Sequence, residues 1–192
     1  MKYSDNVILT DADGVLLNWE YAFDCWMEAK GYKSETKDHY DVQQRYGLQE
    51  KEKNQLVRHF NESAAIGFLP PHRDAIHYVR KLHEEHGYVF KVITSLSLDK
   101  HAARLRRKNL FKLFGTAIEE VVCLDTGADK DKALAPYKDS GLPWIEDKIE
   151  NADLGAELGL HSILMEHKHN MFYDNNNVHT VKNWKEIYEM LS

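Results

Sequence analysis

Apolar residues in this chain gather into short unbroken runs, separated by longer stretches with helical spacing. Val7, Ile8 and Leu9 form the first run, which polar residues and a glycine then stop. A run of that length with β-branched members predicts a strand buried on both faces, as at the centre of a parallel sheet. Similar runs predict four more, so that the strands cover residues 7–10, 89–94, 121–124, 143–145 and 161–165. Between them lie helical patterns over residues 73–85, 98–108, 130–137 and 152–158. Strands alternating with helices predict an α/β fold with helices on both faces of the sheet.

The rhythm breaks once. From Trp19 to Leu69 the chain carries helix-like segments, residues 20–30 and 49–63, and no convincing strand. Leu69, Pro70 and Pro71 close this stretch with a stiff junction, because proline cannot continue a helix and biases its predecessor toward extended backbone. The expectation is a Rossmann-like parallel-sheet core built from residues 1–18 and 70–192, with a small helical cap inserted at 19–69. Near the end of the chain, residues 174–177 read as a polar loop and 184–191 as a short amphipathic helix packed at the edge of the core.

With 192 residues and 43% hydrophobic content, the chain can build one full core plus a modest insertion, burying roughly 70% of its unfolded surface. No positively charged start leads into an apolar stretch, and no run approaches the ~18 apolar residues of a membrane span. A cytoplasmic protein with no membrane partner is expected. Cys25 and Cys123 stand far apart in apolar contexts, which predicts reduced, packed thiols and no disulfide framework. A net charge of -6 argues against a stable complex with a nucleic-acid backbone, which takes many Lys and Arg contacts. One basic stretch, residues 100–112, reads either as a contact for a phosphorylated substrate or acidic partner, or as a solvated helix face with Leu105 and Phe111 turned inward. The second reading is favoured. A monomer is the default.

Asp11 and Asp13 follow the first strand at once. In open α/β sheets ligands bind beyond the carboxyl ends of the strands, so two carboxylates there point to chemistry. One can act as a nucleophile while the other alternates as general acid and base. Their mutual repulsion asks for a cation such as Mg²⁺, a hard ion that takes oxygen ligands. The competing reading is a turn or a helix cap, since Asp-x-Asp-Gly also suits a tight turn.

Further positions extend this pair into a site. The second strand runs into Thr94 and Ser95, placing a hydroxyl where it can hold a phosphoryl oxygen. Lys130 and Lys132 compete at the start of the pattern over 130–137, where a lysine can neutralise charge on a nucleophile and a transferring phosphoryl group. Glu146 and Asp147 end the fourth strand with two more acids, a natural completion of an oxygen-rich Mg²⁺ shell.

The order Asp-x-Asp, strand-Thr, helix-Lys, strand-Glu-Asp spans nearly the whole chain and resembles the four motifs of the haloacid dehalogenase superfamily, most of whose members are phosphatases. The resemblance implies that Asp11 attacks phosphorus to form an aspartyl-phosphate, and that Asp13 protonates the leaving oxygen and then activates water. It implies further that Thr94 and Lys130 hold the phosphoryl oxygens. Mg²⁺ is expected between the Asp11 carboxylate, the Asp13 backbone carbonyl and the Asp147 carboxylate. Thr126-Gly127-Ala128-Asp129 resembles the loop before the family lysine, which favours Lys130 over Lys132 and makes Asp129 the expected helix N-cap. The fourth motif departs from the commoner pair of aspartates, so Asp147 is the expected direct ligand and Glu146 a supporting neighbour. The acid at Asp13 also separates phosphatases from members that displace halide, which needs no proton to leave.

DADGVLLNWE, residues 11–20, is similar to the opening of the 5'(3')-deoxyribonucleotidases, and Thr94-Ser95 is also like theirs. That likeness implies substrate contacts from Ser95 and a Trp19 that stacks on a nucleobase; a Trp19 that only packs the cap onto the core is the equal alternative. Tyr40, Arg45, Tyr46 and His59 offer aromatic and basic groups in the cap, but such residues at helical spacing are more often core than binding residues. His167 and His169 lack Cys or Asp partners at ligand spacing, so zinc is not expected. The expected function is Mg²⁺-dependent hydrolysis of a small phosphomonoester, with a nucleoside monophosphate favoured. A sugar phosphate, phosphoglycolate or phosphomutase reaction keeps this chemistry, and a non-catalytic binding protein keeps only the fold.

Overall fold

The computed structural model describes residues 6–34 and 41–192, so Tyr40 lies outside the described residues. The first strand, β1 (Val7–Thr10), is buried along its whole length, as its unbroken apolar run requires. It leads to three helices, α1 (Trp19–Ala29), α2 (Val42–Tyr46) and α3 (Glu50–Asn61), and to a 3-10 turn at Ala64–Phe68. There follow α4 (Ala75–His86), β2 (Val89–Ser95), α5 (Lys100–Phe114), β3 (Ile118–Leu124) and α6 (Asp131–Leu134). The chain ends with β4 (Pro143–Glu146), α7 (Ile149–Glu157), β5 (His161–Met165), β6 (Val178–Val181) and α8 (Trp184–Leu191). Among the described residues no helix is long and apolar enough to cross a membrane.

Every strand pairing is parallel, and the order across the sheet is β3-β2-β1-β4-β5-β6. The chain therefore builds outward from β1 on one side and returns to its other side at β4, which leaves a crevice beyond the carboxyl ends of these two strands. Alternate strand residues feed two cores. Ile8, Phe90 and Val92 join the larger one, whereas Val7, Leu9, Ile93 and Trp144 join a smaller one with Leu134 and Leu160. The expected Rossmann-like parallel sheet with helices on both faces is what forms.

The segments that flank the helices α1 to α3 are tied to each other. Asn18 N–H donates to Pro70 O at 2.9 Å and His72 N–H to Leu16 O at 2.8 Å, with Leu17 and Pro71 bridged between them. Leu69 has the extended backbone its prolines favour. The Asn109 side chain clamps it, accepting from Leu69 N–H at 2.9 Å and donating to Leu69 O at 3.1 Å.

Several local expectations are corrected. β6 was not expected, because its two middle residues are polar and exposed, as an edge strand permits. Phe111 faces outward at 44% exposure; the buried stripe of α5 is instead Ala102, Ala103, Arg106, Asn109 and Leu110. Cys25 is exposed rather than packed, although both thiols are free. The last helix is no edge element. Trp184 and Ile187 are fully buried, and the Trp184 indole N–H donates to Val15 O at 2.9 Å, pinning the loop that follows β1.

That bond ties packing to the site, so Trp184→Ala removes both a large core side chain and a loop anchor. Denaturant unfolding should show a loss of ~3–5 kcal/mol. A loss below ~1 kcal/mol, the range of ordinary surface substitutions, would contradict the central packing of α8.

Candidate active site

Asp11 continues the sheet one residue past β1: its N–H donates to Ile145 O at 2.9 Å. This bond fixes it in the crevice between β1 and β4. Asp11 Oδ1 accepts from Ala12 N–H at 2.7 Å and lies 3.0 Å from Lys130 Nζ. Lys130 is itself 1% exposed and reaches Glu146 Oε1 at 2.6 Å. Lys132 is exposed, so the fold selects Lys130. The expected cap by Asp129 does not form: Lys130 occupies the N-cap position of α6, no side chain caps it, and its own side chain turns down to the two carboxylates.

Glu146 is a hub. Besides Lys130, its Oε1 accepts from Asn151 Nδ2 at 2.6 Å, and its Oε2 accepts from the backbone N–H groups of Asp147 at 2.6 Å and Lys148 at 2.9 Å. Burial opposes its charge, but Lys130 and these donors outweigh burial and hold its pKa below the usual carboxylate value. Asp11 differs, since burial outweighs Lys130 there and lifts its carboxyl to about 6. Asp147 is pushed well up by burial, then by Glu146 and Asp11. Three buried carboxyl groups thus share one buried ammonium.

That deficit of positive charge is what a hard cation relieves. Ligand oxygens of Asp11, Glu146 and Asp147 lie within 4.8 Å of one another. Both Glu146 oxygens already serve other donors, which leaves Asp11 and Asp147 as the carboxylates that fit a metal, with Glu146 in support. Gly14 makes room for them. Its φ is +73°, and a Cβ there would fall 2.4 Å from Asp147 Oδ2, so a side chain is excluded twice over.

The Asp13 carboxylate stands outside this acid trio, since the Arg106 guanidinium grips both its oxygens, one of them at 3.0 Å. Arg106 is fully buried in α5, whereas Asp13 reaches the cavity wall. The basic stretch over 100–112 hid this residue. Its signal was legible as an arginine on the inward stripe of a helix, a position that demands a charged partner.

The expected hydroxyl is corrected by parity. Thr10 pairs with Val92 in the sheet, so Thr94, two residues on, shares the face of Thr10, and Ser95 shares the face of Asp11. Accordingly Ser95 lines the cavity, with its hydroxyl donating to Ala128 O at 2.8 Å. Thr94 is fully buried away from it, and its Oγ1 has no partner among the described residues.

Over the acids lies a cavity of about 710 Å³ whose far wall includes Trp19, Phe23, Val42, Lys53 and Arg58. Trp19 stacks on Phe23 at 4.7 Å and donates from its indole to Asn61 Oδ1 at 2.9 Å, so it packs the helices and lines the cavity at once. Asn61 Nδ2 in turn donates to Leu96 O at 2.9 Å. Arg45 and Tyr46 pack inward around Asp24, and His59 is exposed.

Histidines also meet here. His167 Nε2 bonds Gly14 O at 2.7 Å, and His169 Nε2 bonds Asp147 O at 2.9 Å. Burial lowers the His167 pKa to about 4 and that of neighbouring His72 to about 3, so both are neutral at ordinary pH. The Nε2 atoms of His167 and His169 thus meet backbone carbonyls, whereas neither ring nitrogen of His72 has a partner among the described residues. None of the three was singled out by spacing as part of the acid site.

No protein-family model matches this chain. It is 26% identical over 160 residues to an uncharacterized 32.4 kDa protein in the Gp30-rIII intergenic region of enterobacteria phage T4, a match that takes 79% of this chain and 57% of that protein. The chain thus spans little more than half the length of that relative. In three dimensions it is similar to a haloacid dehalogenase-like family hydrolase from Streptococcus pneumoniae, with a TM-score of 0.63 and 13% identity over 97% of this chain and 98% of the other. It is similar also to the L-2-haloacid dehalogenase of Xanthobacter autotrophicus with chloropropionic acid covalently bound, with a TM-score of 0.61 and 8% identity over 97% and 98%. Likeness at such identity speaks for architecture: this chain has the haloacid dehalogenase-like α/β fold, with a buried acidic cluster where its first and fourth sheet strands end.

Proposed function

We propose that this protein is a Mg²⁺-dependent phosphomonoesterase that passes a phosphoryl group through Asp11. The observation that carries the reading is a buried Asp11, 3.0 Å from Lys130, with a second carboxylate two residues on at the cavity wall. An Asp11 oxygen attacks phosphorus, the ester P–O bond breaks, and Asp13, swung from the Arg106 fork and protonated, gives its proton to the departing oxygen. Asp13 then takes a proton from water, the water oxygen attacks phosphorus, and the bond to Asp11 breaks to release phosphate. Lys130 Nζ and the Ser95 hydroxyl, turned away from Ala128 O, hold phosphoryl oxygens. The Asp11 and Asp147 carboxylates and the Asp13 backbone carbonyl would hold Mg²⁺, which would supply positive charge against those oxygens.

The helices α1 to α3 act as the cap. Arg58 reaches Asp125 at 3.2 Å, and Ser97 donates to Glu62 at 2.7 Å, so α3 rests on the loops that follow β2 and β3. A nucleoside monophosphate is the favoured substrate, because the cavity far exceeds a phosphate group and offers the Trp19 ring on its wall. Halide displacement by the same nucleophile, the reaction of one structural neighbour, is disfavoured by Asp13, for which a halide has no use. We place the reaction in the cytoplasm, consistent with the free thiols of Cys25 and Cys123.

Phosphate release should be assayed with nucleoside monophosphates, sugar phosphates and phosphoglycolate, with and without Mg²⁺. Asp11→Asn should lower turnover by ~10³-fold or more, and a fully active variant would sink the mechanism. Ser95→Ala should cost kcat/KM more than Thr94→Val does; the reverse order would restore Thr94 as the phosphate-binding hydroxyl.

A pH test follows from the raised Asp11 pKa. The folded protein keeps a proton that the unfolded chain releases, so Asp11 costs stability as pH rises from about 4 to about 6. In metal-free protein, Asp11→Asn should therefore gain on the parent across that window, by something on the order of 3 kcal/mol. A stability difference that stays constant with pH would contradict the raised value.

A further inference from the structure

The loop between β5 and β6 reaches across the crevice and touches both acid-bearing loops. From it, His167 Nε2 bonds Gly14 O at 2.7 Å and His169 Nε2 bonds Asp147 O at 2.9 Å. Asn170 adds a second bond to Asp147 O at 2.8 Å and fastens the same amide to Met165 O, at the end of β5, at 2.9 Å. Its Oδ1 accepts from His167 N–H at 2.7 Å, which closes the loop on itself. The two imidazoles stack with centroids 5.5 Å apart and planes 20° apart.

We infer that His167 and His169 are positioning residues that fasten the loop after β1 to the loop after β4 and so set how tightly the acid cluster holds a divalent cation. Three observations converge on this. A carbonyl can only accept, so each Nε2 carries its proton toward the backbone and is not a metal ligand. The joined loops already touch, since no Cβ fits between Gly14 and Asp147 Oδ2. The loop starts from Met165 at the end of β5, a strand flanked by β4 and β6, so the fastening transmits the rigidity of the sheet. Carboxylates held at a fixed separation lose less freedom when an ion binds, and groups that orient ligands commonly govern affinity ~10–100-fold. The inference rests on the reading of Asp11 and Asp147 as cation ligands.

The test uses the full chain without substrate. Mn²⁺ affinity is measured by electron paramagnetic resonance of the free ion for the parent, His167→Ala, His169→Ala, His167→Gln and Asp147→Asn, and amide exchange is followed in residues 12–18. His167→Ala and His169→Ala should each weaken Mn²⁺ binding by ~10-fold or more. His167→Ala should also speed exchange in 12–18. Glutamine carries an N–H at nearly the reach of Nε2, so His167→Gln should recover most of the affinity and the protection. Should the alanine variants fail to fold, His167→Asn, too short to span to Gly14, takes their place against His167→Gln. Folded alanine variants that bind Mn²⁺ as tightly as the parent overturn the inference while leaving the cation reading intact. A parent whose Mn²⁺ binding is absent, or survives Asp147→Asn, overturns the cation reading and the inference with it.

Discussion

The Lys130 ammonium, buried between Asp11 and Glu146, is the contact on which the site's arrangement depends. An isolated charge in that position would be costly, and so would either carboxylate alone. Together they hold a charged cluster at the point where β1 and β4 diverge. The balance is deliberately incomplete in the chemical sense: Glu146 is fully supplied with donors, Asp11 is partly supplied, and Asp147 meets mainly other acids. The two carboxyl groups nearest the place for a cation are thereby left with the fewest donors, while Lys130 faces the nucleophile. Removing the ammonium would strand two buried carboxylates, so stability and chemistry depend on one side chain.

Around this cluster the fold supplies geometry rather than charge. Asp11 is held by a sheet hydrogen bond, Asp13 by the buried fork of Arg106, and the intervening loop by the Trp184 indole on Val15 O. Each anchor comes from a different element, so the loop after β1 is held at three separate points. The helices α1 to α3 close the remaining side. Their junctions are cross-bonded at Asn18 with Pro70 and at His72 with Leu16, which ties the entry to these helices to their exit.

What the sequence disclosed and what it concealed divide along physical lines. Runs such as Val7 to Leu9 announce buried strands because nothing but burial explains them, and acids directly beyond such runs announce a site. Asp11, Asp13, Glu146 and Asp147 were legible for that reason and Lys130 from the likeness of the loop before it, and the structure brings them to one crevice. Features that depend on parity or on tertiary contact were not. Thr94 and Ser95 both stand at a strand end, and only the register with β1 decides which one faces Asp11. Arg106 sat inside a basic run whose other members are solvated, although its place on the inward stripe of α5 carried the clue. β6 hid behind its polar middle, and α8 looked peripheral because amphipathic spacing does not report that Trp184 reaches the interior. The histidines gave no spacing signal at all, since their partners are backbone carbonyls far away in the chain.

On the proposed reading, the excess of buried carboxyl groups at the β1 and β4 ends is a divalent-cation site. Calorimetric titration of Mg²⁺ into the substrate-free protein near pH 6, close to the raised Asp11 value, in two buffers of different ionisation enthalpy, tests it most directly. The expected result is one saturable site whose occupation releases protons, because raised carboxyls must ionise to serve as ligands, and whose binding is lost in Asp147→Asn. Absence of saturable binding, or binding that Asp147→Asn leaves intact, would contradict it.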